Sequence, residues 1–227
     1  MSIHFYKPNM IMKKIVLFVA AALSFSFANA QSGPRIGLKA GVTYSNLSGD
    51  LENEDLYKNK FGFVGGLTAN FDLSGDGFLS LQPELLYSQK GYQYSDEKFT
   101  VGGTDYKIKG DVNYSYLDLP VLLRVNAGGL FFEAGPQLSY LLSVKDNSEF
   151  KVNDESYEST ERYNKDDFSE LEIGYAAGVG YQLNNGLSLG VRYNGGISSL
   201  AKEDEDELTN ARHSVVMATI GFTFPRK

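Results

Sequence analysis

The chain has 227 residues, of which 42% are hydrophobic and 22% charged, with a formal net charge of −7 at pH 7. Such a length suits one domain, and the acidic balance argues against nucleic acid, whose phosphates demand a basic footprint. Cysteine is absent, which excludes a disulfide framework, a thiolate metal site and a lipid-anchoring thiol.

Residues 1–30 read as an export leader. Lys13-Lys14 precedes an apolar run over 15–27 and an Ala28-Asn29-Ala30 exit. That run is too short to span a bilayer as a helix. The tract before Met12 reads as an N-terminal extension, and Gln31 is the expected mature N-terminus, so 31–227 form the domain. Cleavage leaves 18 basic against 28 acidic residues, a net charge of −10.

Eight strands are expected, each with one apolar parity and one polar parity. The first, 35–46, sets Ile36, Leu38, Ala40, Val42 and Tyr44 against Gly37, Lys39 and Gly41. The second, 60–73, carries Phe61, Phe63, Leu67, Ala69 and Phe71 opposite Gly62 and Gly66. A Ser74-Gly75-Asp76-Gly77 turn leads to the third, 78–92, where Leu79, Leu81, Leu85 and Tyr87 oppose Gln82, Glu84, Ser88 and Lys90.

A long connection over 93–111 precedes a hairpin. Its first run puts Leu117, Leu119, Val121, Leu123 and Val125 opposite Asp118 and Arg124. Asn126-Ala127-Gly128-Gly129 is hairpin punctuation. The return run sets Phe132, Ala134, Leu138, Tyr140 and Leu142 against Glu133, Gln137 and Ser139. Pro120 and Pro136 lack a ladder donor, so a bulge or bend is expected there.

After a connection over 146–167, the sixth strand, 168–183, places Leu171, Ile173, Tyr175, Ala177, Val179 and Tyr181 against Glu170, Glu172 and three glycines. Asn184-Asn185-Gly186 turns into the seventh, 187–199, with Arg192 on its polar side. An acidic connection over 200–211 leads to the eighth, 212–224, whose apolar face ends on Phe222 and Phe224. Long polar connections alternate with tight turns through all seven links. That asymmetry is the habit of bacterial transmembrane barrels.

The rival is a soluble calyx with its apolar residues inside. Volume decides against it: about five large apolar side chains from each of eight strands cannot fit a lumen that barely holds its own side chains. The polar faces carry the glycines, as a crowded interior requires. The apolar faces carry no Asp, Glu, Lys or Arg, as lipid requires, where charge at mid-depth costs about 2–4 kcal/mol. The fold class is therefore all-β, an eight-stranded antiparallel up-and-down transmembrane β-barrel. Tyr44, Tyr87, Tyr140 and Tyr193 fall near the loop ends, and Phe71, Phe78, Phe132, Phe222 and Phe224 near the turn ends. They are candidate aromatic girdles.

Residues 37–46 (Gly-Leu-Lys-Ala-Gly-Val-Thr-Tyr-Ser-Asn), 116–124 (Tyr-Leu-Asp-Leu-Pro-Val-Leu-Leu-Arg), Gly135-Pro136 and the closing Gly221-Phe222-Thr223-Phe224 resemble the "porin family" of outer-membrane β-barrel proteins, specifically its PorT-like group and the OmpA/OmpX-like eight-stranded barrels. The resemblance implies a monomer in the outer membrane of a Gram-negative bacterium. Its implied partners are membrane lipid, lipopolysaccharide and the outer-membrane assembly machinery. For PorT it also implies a link to protein secretion. The chain departs from the pattern at its end, where Pro225-Arg226-Lys227 follows the last aromatic residue.

The polar faces turn Lys39, Lys90, Arg124 and Arg192 inward together with Glu84, Asp118, Glu133, Glu170 and Glu172. Charges in so narrow a lumen are expected to pair into a plug, and a small or gated channel is the alternative. The acidic runs over 146–167 and 203–207 lack a calcium-loop ligand rhythm and read as solvated loops. His213 is the one histidine after the leader, and Ser214 beside it points to the opposite face, so the two cannot form a dyad. No cofactor, metal site or catalytic residue is expected, and a lipid-modifying enzyme is the most distant reading.

Overall fold

The computed structural model describes residues 33–49, 57–94, 98–101, 104–152, 155–163, 168–200 and 211–225. The leader, the acidic run over 203–207 and the last two residues lie outside them. Ten strands are present: β1 (Arg35–Ser48), β2 (Tyr57–Asp72), β3 (Leu79–Tyr94), β4 (Lys98–Val101), β5 (Thr104–Ala127), β6 (Leu130–Val152), β7 (Glu155–Tyr163), β8 (Leu171–Gln182), β9 (Leu187–Gly196) and β10 (Arg212–Thr223).

Eight of them close a ring. β3, β2, β1, β10, β9, β8, β6 and β5 follow one another around it, and β5 returns to β3. All of these pairings are antiparallel, and β1 with β10 completes the cylinder from Gly37↔Thr223 to Ser48↔Arg212. Lipid offers no partner to a bare strand edge, so a sheet crossing it has to close.

Two segments expected as connections carry strand instead. β5 begins at Thr104 and β6 runs to Val152, so this pair continues well past its neighbours; β4 folds back on β5 and β7 on β6. The sequence there does alternate, with Tyr106, Ile108, Val112 and Tyr114 against Asp105, Lys107, Lys109 and Asp111, but its density of charge reads as loop.

The apolar faces point outward. Phe61 is 71% exposed and Leu189 60%, and Ile36, Leu38, Val42, Phe63, Val191 and Ile220 are exposed beside them. Phe71 departs from this: it is only 3% exposed, enclosed where β2 runs into the turn before β3. The lumen is narrow because inward glycines let strands and rings close in. A Cβ on Gly66 would collide with the Leu85 carbonyl, and one on Gly180 with the ring of Phe131. At the β5–β6 turn, Gly128 and Gly129 take φ of 59° and 93°. Only glycine enters that pair of positive values cheaply, and the resulting turn matches the twist of the strands.

The prolines do not produce the expected bulges. Between β5 and β6 the ladder skips from Pro120↔Gln137 to Leu123↔Ala134 and resumes in unchanged register. Proline removes a hydrogen bond but inserts no residue. The register shifts lie elsewhere, between Asn59 and Val64 on β2 and between Ser115 and Tyr116 on β5. At the second, Tyr116 pairs with Leu141 and Ser115 with Ser143, so Leu142 is the extra residue. In consequence Leu141 and Val144, of opposite parity on β6, both turn inward, paired with Tyr116 and Tyr114, which keep the inward parity of Asp118 on β5.

Gly65 and Gly66 separate the two environments within one strand. A Cβ on Gly65 meets nothing nearer than 3.6 Å. Gly66→Ala is expected to destabilise the barrel by about 1–3 kcal/mol, as overpacking does, while Gly65→Ala leaves it nearly unchanged. Denaturant midpoints of the two refolded variants check this contrast.

Candidate functional site

The inward column of β3 shows how the lumen is filled. From the turn end outward it presents Ser80, Gln82, Glu84, Leu86, Ser88, Lys90 and Tyr92, all buried. Polar and apolar levels alternate along it, and neighbouring strands complete each level.

The first charged level joins β1, β3, β6 and β9. Arg192 donates from Nη1 to Glu84 Oε2 at 2.7 Å and from Nη2 to Glu84 Oε1 at 3.0 Å; its Nε donates to Glu133 Oε1 at 2.8 Å. Lys39 donates to Glu84 Oε1 at 2.5 Å and stands 4.0 Å from Glu133 Oε1. Gln82 Nε2 adds a donor to Glu84 Oε1 at 2.7 Å. Two cations and two carboxylates thus balance, and the bidentate fork gives Arg192 a geometry lysine could not reproduce.

Nearer the turn end, Arg124 donates to three neutral oxygens: Asn126 Oδ1 at 3.0 Å, Gln82 Oε1 at 3.1 Å and Gln182 Oε1 at 2.7 Å. Its guanidinium lies 3.6 Å from the centre of the Phe131 ring, a cation–π contact. Phe131 in turn occupies the space that Gly180 leaves free. Below this, Arg35 donates to Asn70 Oδ1 at 3.1 Å, and Asn70 Nδ2 donates to Ser80 Oγ at 2.9 Å.

Above the first charged level, Val64, Leu86, Val215 and Met217 form a buried apolar cluster. The second charged level follows. Lys90 donates to Asp118 Oδ1 at 3.2 Å and Ser139 Oγ at 3.1 Å, and lies 3.8 Å from Glu172. Ser88 donates to the other Asp118 oxygen at 2.6 Å. His213 is 1% exposed, with Nδ1 2.7 Å from Glu172 Oε2 and its ring edge-on to Tyr114 and Tyr116. Ser214 lies on the other face with its Oγ 3.1 Å from the Tyr193 hydroxyl, so the two make no dyad.

An aromatic and aliphatic cap closes the loop end. Leu47, Tyr92, Val112, Tyr114, Tyr116, Leu141, Val144, Leu200 and Ala211 form one buried cluster, with Tyr57, Tyr94 and Phe168 packed against it. Tyr114 and Tyr116 share the inward parity of Asp118, so alternation could have placed them here, whereas the change of parity on β6 that brings in Val144 could not be foreseen. Leu122 and Phe131 are likewise buried apolar residues on inward positions.

Of the nine expected lumen charges, seven pair inside the ring, and Arg124 lies there on neutral oxygens. Glu170 is not among them: it precedes β8, and its Oε2 accepts from the hydroxyl of Tyr140 at 2.9 Å. Two other tyrosine hydroxyls near the loop end find a partner in this way, Tyr87 on Ser115 at 3.0 Å and Tyr193 on Ser214. Tyr44, Phe78, Phe132, Phe222 and Phe224 are exposed on the outer surface, whereas Phe71 is buried. At the turn end, Asp72 accepts from the Gly75 amide at 2.9 Å. Asp76 accepts from Ser74 Oγ at 2.5 Å and the Phe78 amide at 2.9 Å, and those two donors hold its carboxyl below the ordinary range. Among the described residues no group of His, Asp and Glu is arranged to hold a metal ion.

Removing one partner of a buried pair leaves the other charge bare, which costs about 3–5 kcal/mol. Arg192→Met is therefore expected to lower the unfolding midpoint sharply, since Glu84 and Glu133 would share Lys39 alone. Adding Glu133→Gln should recover part of the loss. A double-mutant cycle on refolded protein reads the coupling.

Among solved structures, the chain is similar to Ail, the attachment invasion locus protein of Yersinia pestis (TM-score 0.44, 14% identity, 85% of this chain and 100% of that one). It is also similar to Neisserial surface protein A (0.42, 16%, 83% and 97%) and to OprG from Pseudomonas aeruginosa (0.39, 13%, 87% and 99%). At these values they add nothing to the ring already described. No curated protein sequence matches the chain. One family model does, over residues 27–202, which takes in every ring strand except β10. With a closed ring of lipid-compatible strands and that match, the chain belongs to the outer membrane protein beta-barrel domain family.

Proposed function

We propose that this protein is a closed outer-membrane barrel that serves as a rigid mount for the strands and loops above its loop end, rather than as a conduit. The observation that carries this reading is the filled inward column of β3, in which seven successive inward side chains, Ser80 to Tyr92, are buried. The two charged levels bind opposite walls together across the lumen, and the aromatic cap sits above them. The extension of β5 and β6, flanked by β4 and β7, supplies the surface that such a mount would present.

The expected life cycle supports the same reading: export with a cleaved leader, insertion by the assembly machinery and residence as a monomer among lipid and lipopolysaccharide. The exposed aromatic residues fit interfacial girdles at both ends of the ring. Within the 116–124 segment that resembles PorT, Asp118 and Arg124 are spent on lumen contacts. That use favours a structural duty over a role in secretion. A small-solute channel is the second reading, and it requires the ion pairs to exchange partners.

Reconstitution in a planar bilayer tests the proposal. The wild-type protein should give no stable large conductance. Opening events that grow frequent when Tyr116→Ala thins the cap would fit a closed lumen, whereas steady conductance from the wild type would favour the channel.

A further inference from the structure

β5 and β6 continue together beyond the last β3 pair, Gln93↔Asp111, as far as Tyr106↔Val152. There β4 folds against β5, and β7 takes the edge of β6 that β8 leaves at Tyr140↔Leu171. The small sheet so formed has two outer edges, and among the described residues no strand pairs with either. A bare strand edge in water is a template for pairing, so natural sheets guard theirs with short strands, lysine, proline or a bulge. β4 is guarded: it is four residues long and carries Lys98. β7 is not. It runs nine residues, contains neither lysine nor proline, and pairs with β6 from Val144↔Tyr163 to Val152↔Glu155 without a register shift.

What the edge of β7 does carry is charge of one sign. Glu155, Glu158 and Glu161 recur along it against a single cation, Arg162, and the flanking Asp154, Asp166 and Asp167 outweigh Lys165. Like charges set opposite each other on adjacent strands are destabilising, so a second β7 is repelled. Topology disfavours it too: in every copy within one membrane β7 runs back toward that membrane, so two of them meet only in the parallel sense, which is less stable per residue. The register also sets what a new neighbour meets. Ile108, Phe150 and Tyr157 share one row, and Lys109, Glu149 and Glu158 share the next, so an added strand continues an apolar row and a charged row in turn.

We propose that the outer edge of β7 is a docking surface for an extended, basic polypeptide segment, which adds to the sheet as a further strand. The inference builds on the reading of the barrel as a closed mount, which gives that edge a fixed base. Main-chain hydrogen bonds supply the affinity and side-chain pairs the selection. A partner that alternates apolar residues with lysine or arginine extends the row of Tyr157 and sets cations beside the glutamates. The three glutamates that repel a second copy therefore choose a cationic partner, so one charge pattern both attracts and excludes.

The test uses the full refolded barrel in detergent. The probe is a labelled peptide of alternating lysine and valine, as long as β7, followed by fluorescence anisotropy. One counterpart carries glutamate in place of lysine. Another is N-methylated at every amide, which keeps the charge but removes every ladder donor. The parent peptide should bind saturably and the glutamate form not at all. The N-methylated form should bind at least about tenfold more weakly, as the loss of several ladder hydrogen bonds requires.

Variants of β7 locate the contact. Glu155→Gln, Glu158→Gln and Glu161→Gln combined should weaken the parent peptide and flatten the salt dependence of its binding. Ser159→Pro and Thr160→Pro act on neighbouring positions, and at least one should abolish binding while the folded barrel keeps its heat-dependent gel shift. The proposal is overturned if the N-methylated or the glutamate peptide binds as well as the parent. It is equally overturned if binding survives the triple variant and both prolines. The two readings fail separately. A wild-type barrel that shows no conductance and binds no peptide loses the docking edge and keeps the mount, whereas steady wild-type conductance counts against the mount.

Discussion

The pairing of β1 with β10 is the constraint on which everything else depends. In lipid no backbone donor or acceptor at mid-depth can turn to solvent, so the first and last strands of the ring must find each other. Closure then fixes a small lumen, and a small lumen dictates what each strand may put inside. Glycine is used where a wall must come close, as at Gly41 and Gly66, where a Cβ would strike the backbone of the next strand. The space so gained is what lets Arg192 reach both Glu84 and Glu133 from across the barrel.

Charge inside such a ring is expensive and therefore arranged in sets. Each buried carboxylate removed from water needs cations or several donors around it, and a bidentate arginine supplies both. The first level balances its charges, although Glu133 Oε2 is buried without a hydrogen-bond partner. In the second, Asp118 and Glu172 share Lys90, with His213 and Ser88 providing further contacts. Between the levels, Val64, Leu86, Val215 and Met217 form an apolar spacer with no charge among them. The barrel thus resembles a stack of thin cores, each completed by a different chemistry.

Period-two alternation made the ring legible in the sequence. Apolar parity marked the lipid face on all eight strands, and loop asymmetry marked the two ends. Eight of the nine expected lumen charges followed from parity alone. Parity failed wherever something interrupted it. Val144 reaches the cap only through the extra residue Leu142, which no local composition announces, whereas Tyr114 and Tyr116 already share the inward parity of Asp118. Glu170 lies before β8 begins, so extrapolated alternation put it on the wrong side. Extrapolation likewise placed Phe71 outward at the end of β2, where the chain is already entering the turn. β4 and β7 were illegible for another reason: each is short and lies within a charged stretch that reads whole as a connection.

A lumen that reads as simply polar is, in three dimensions, polar only at alternate depths. Apolar residues on inward positions, Leu86, Leu122, Phe131 and Leu141, are as buried as the charges they separate. They do two things that ion pairs cannot. They exclude water from between the charged levels, which strengthens every pair by lowering the local dielectric. They also keep the levels from exchanging partners, because a lysine or arginine moving from one set to the next must cross an apolar layer. Specific pairing in this barrel therefore rests on its hydrophobic spacers as much as on its charges.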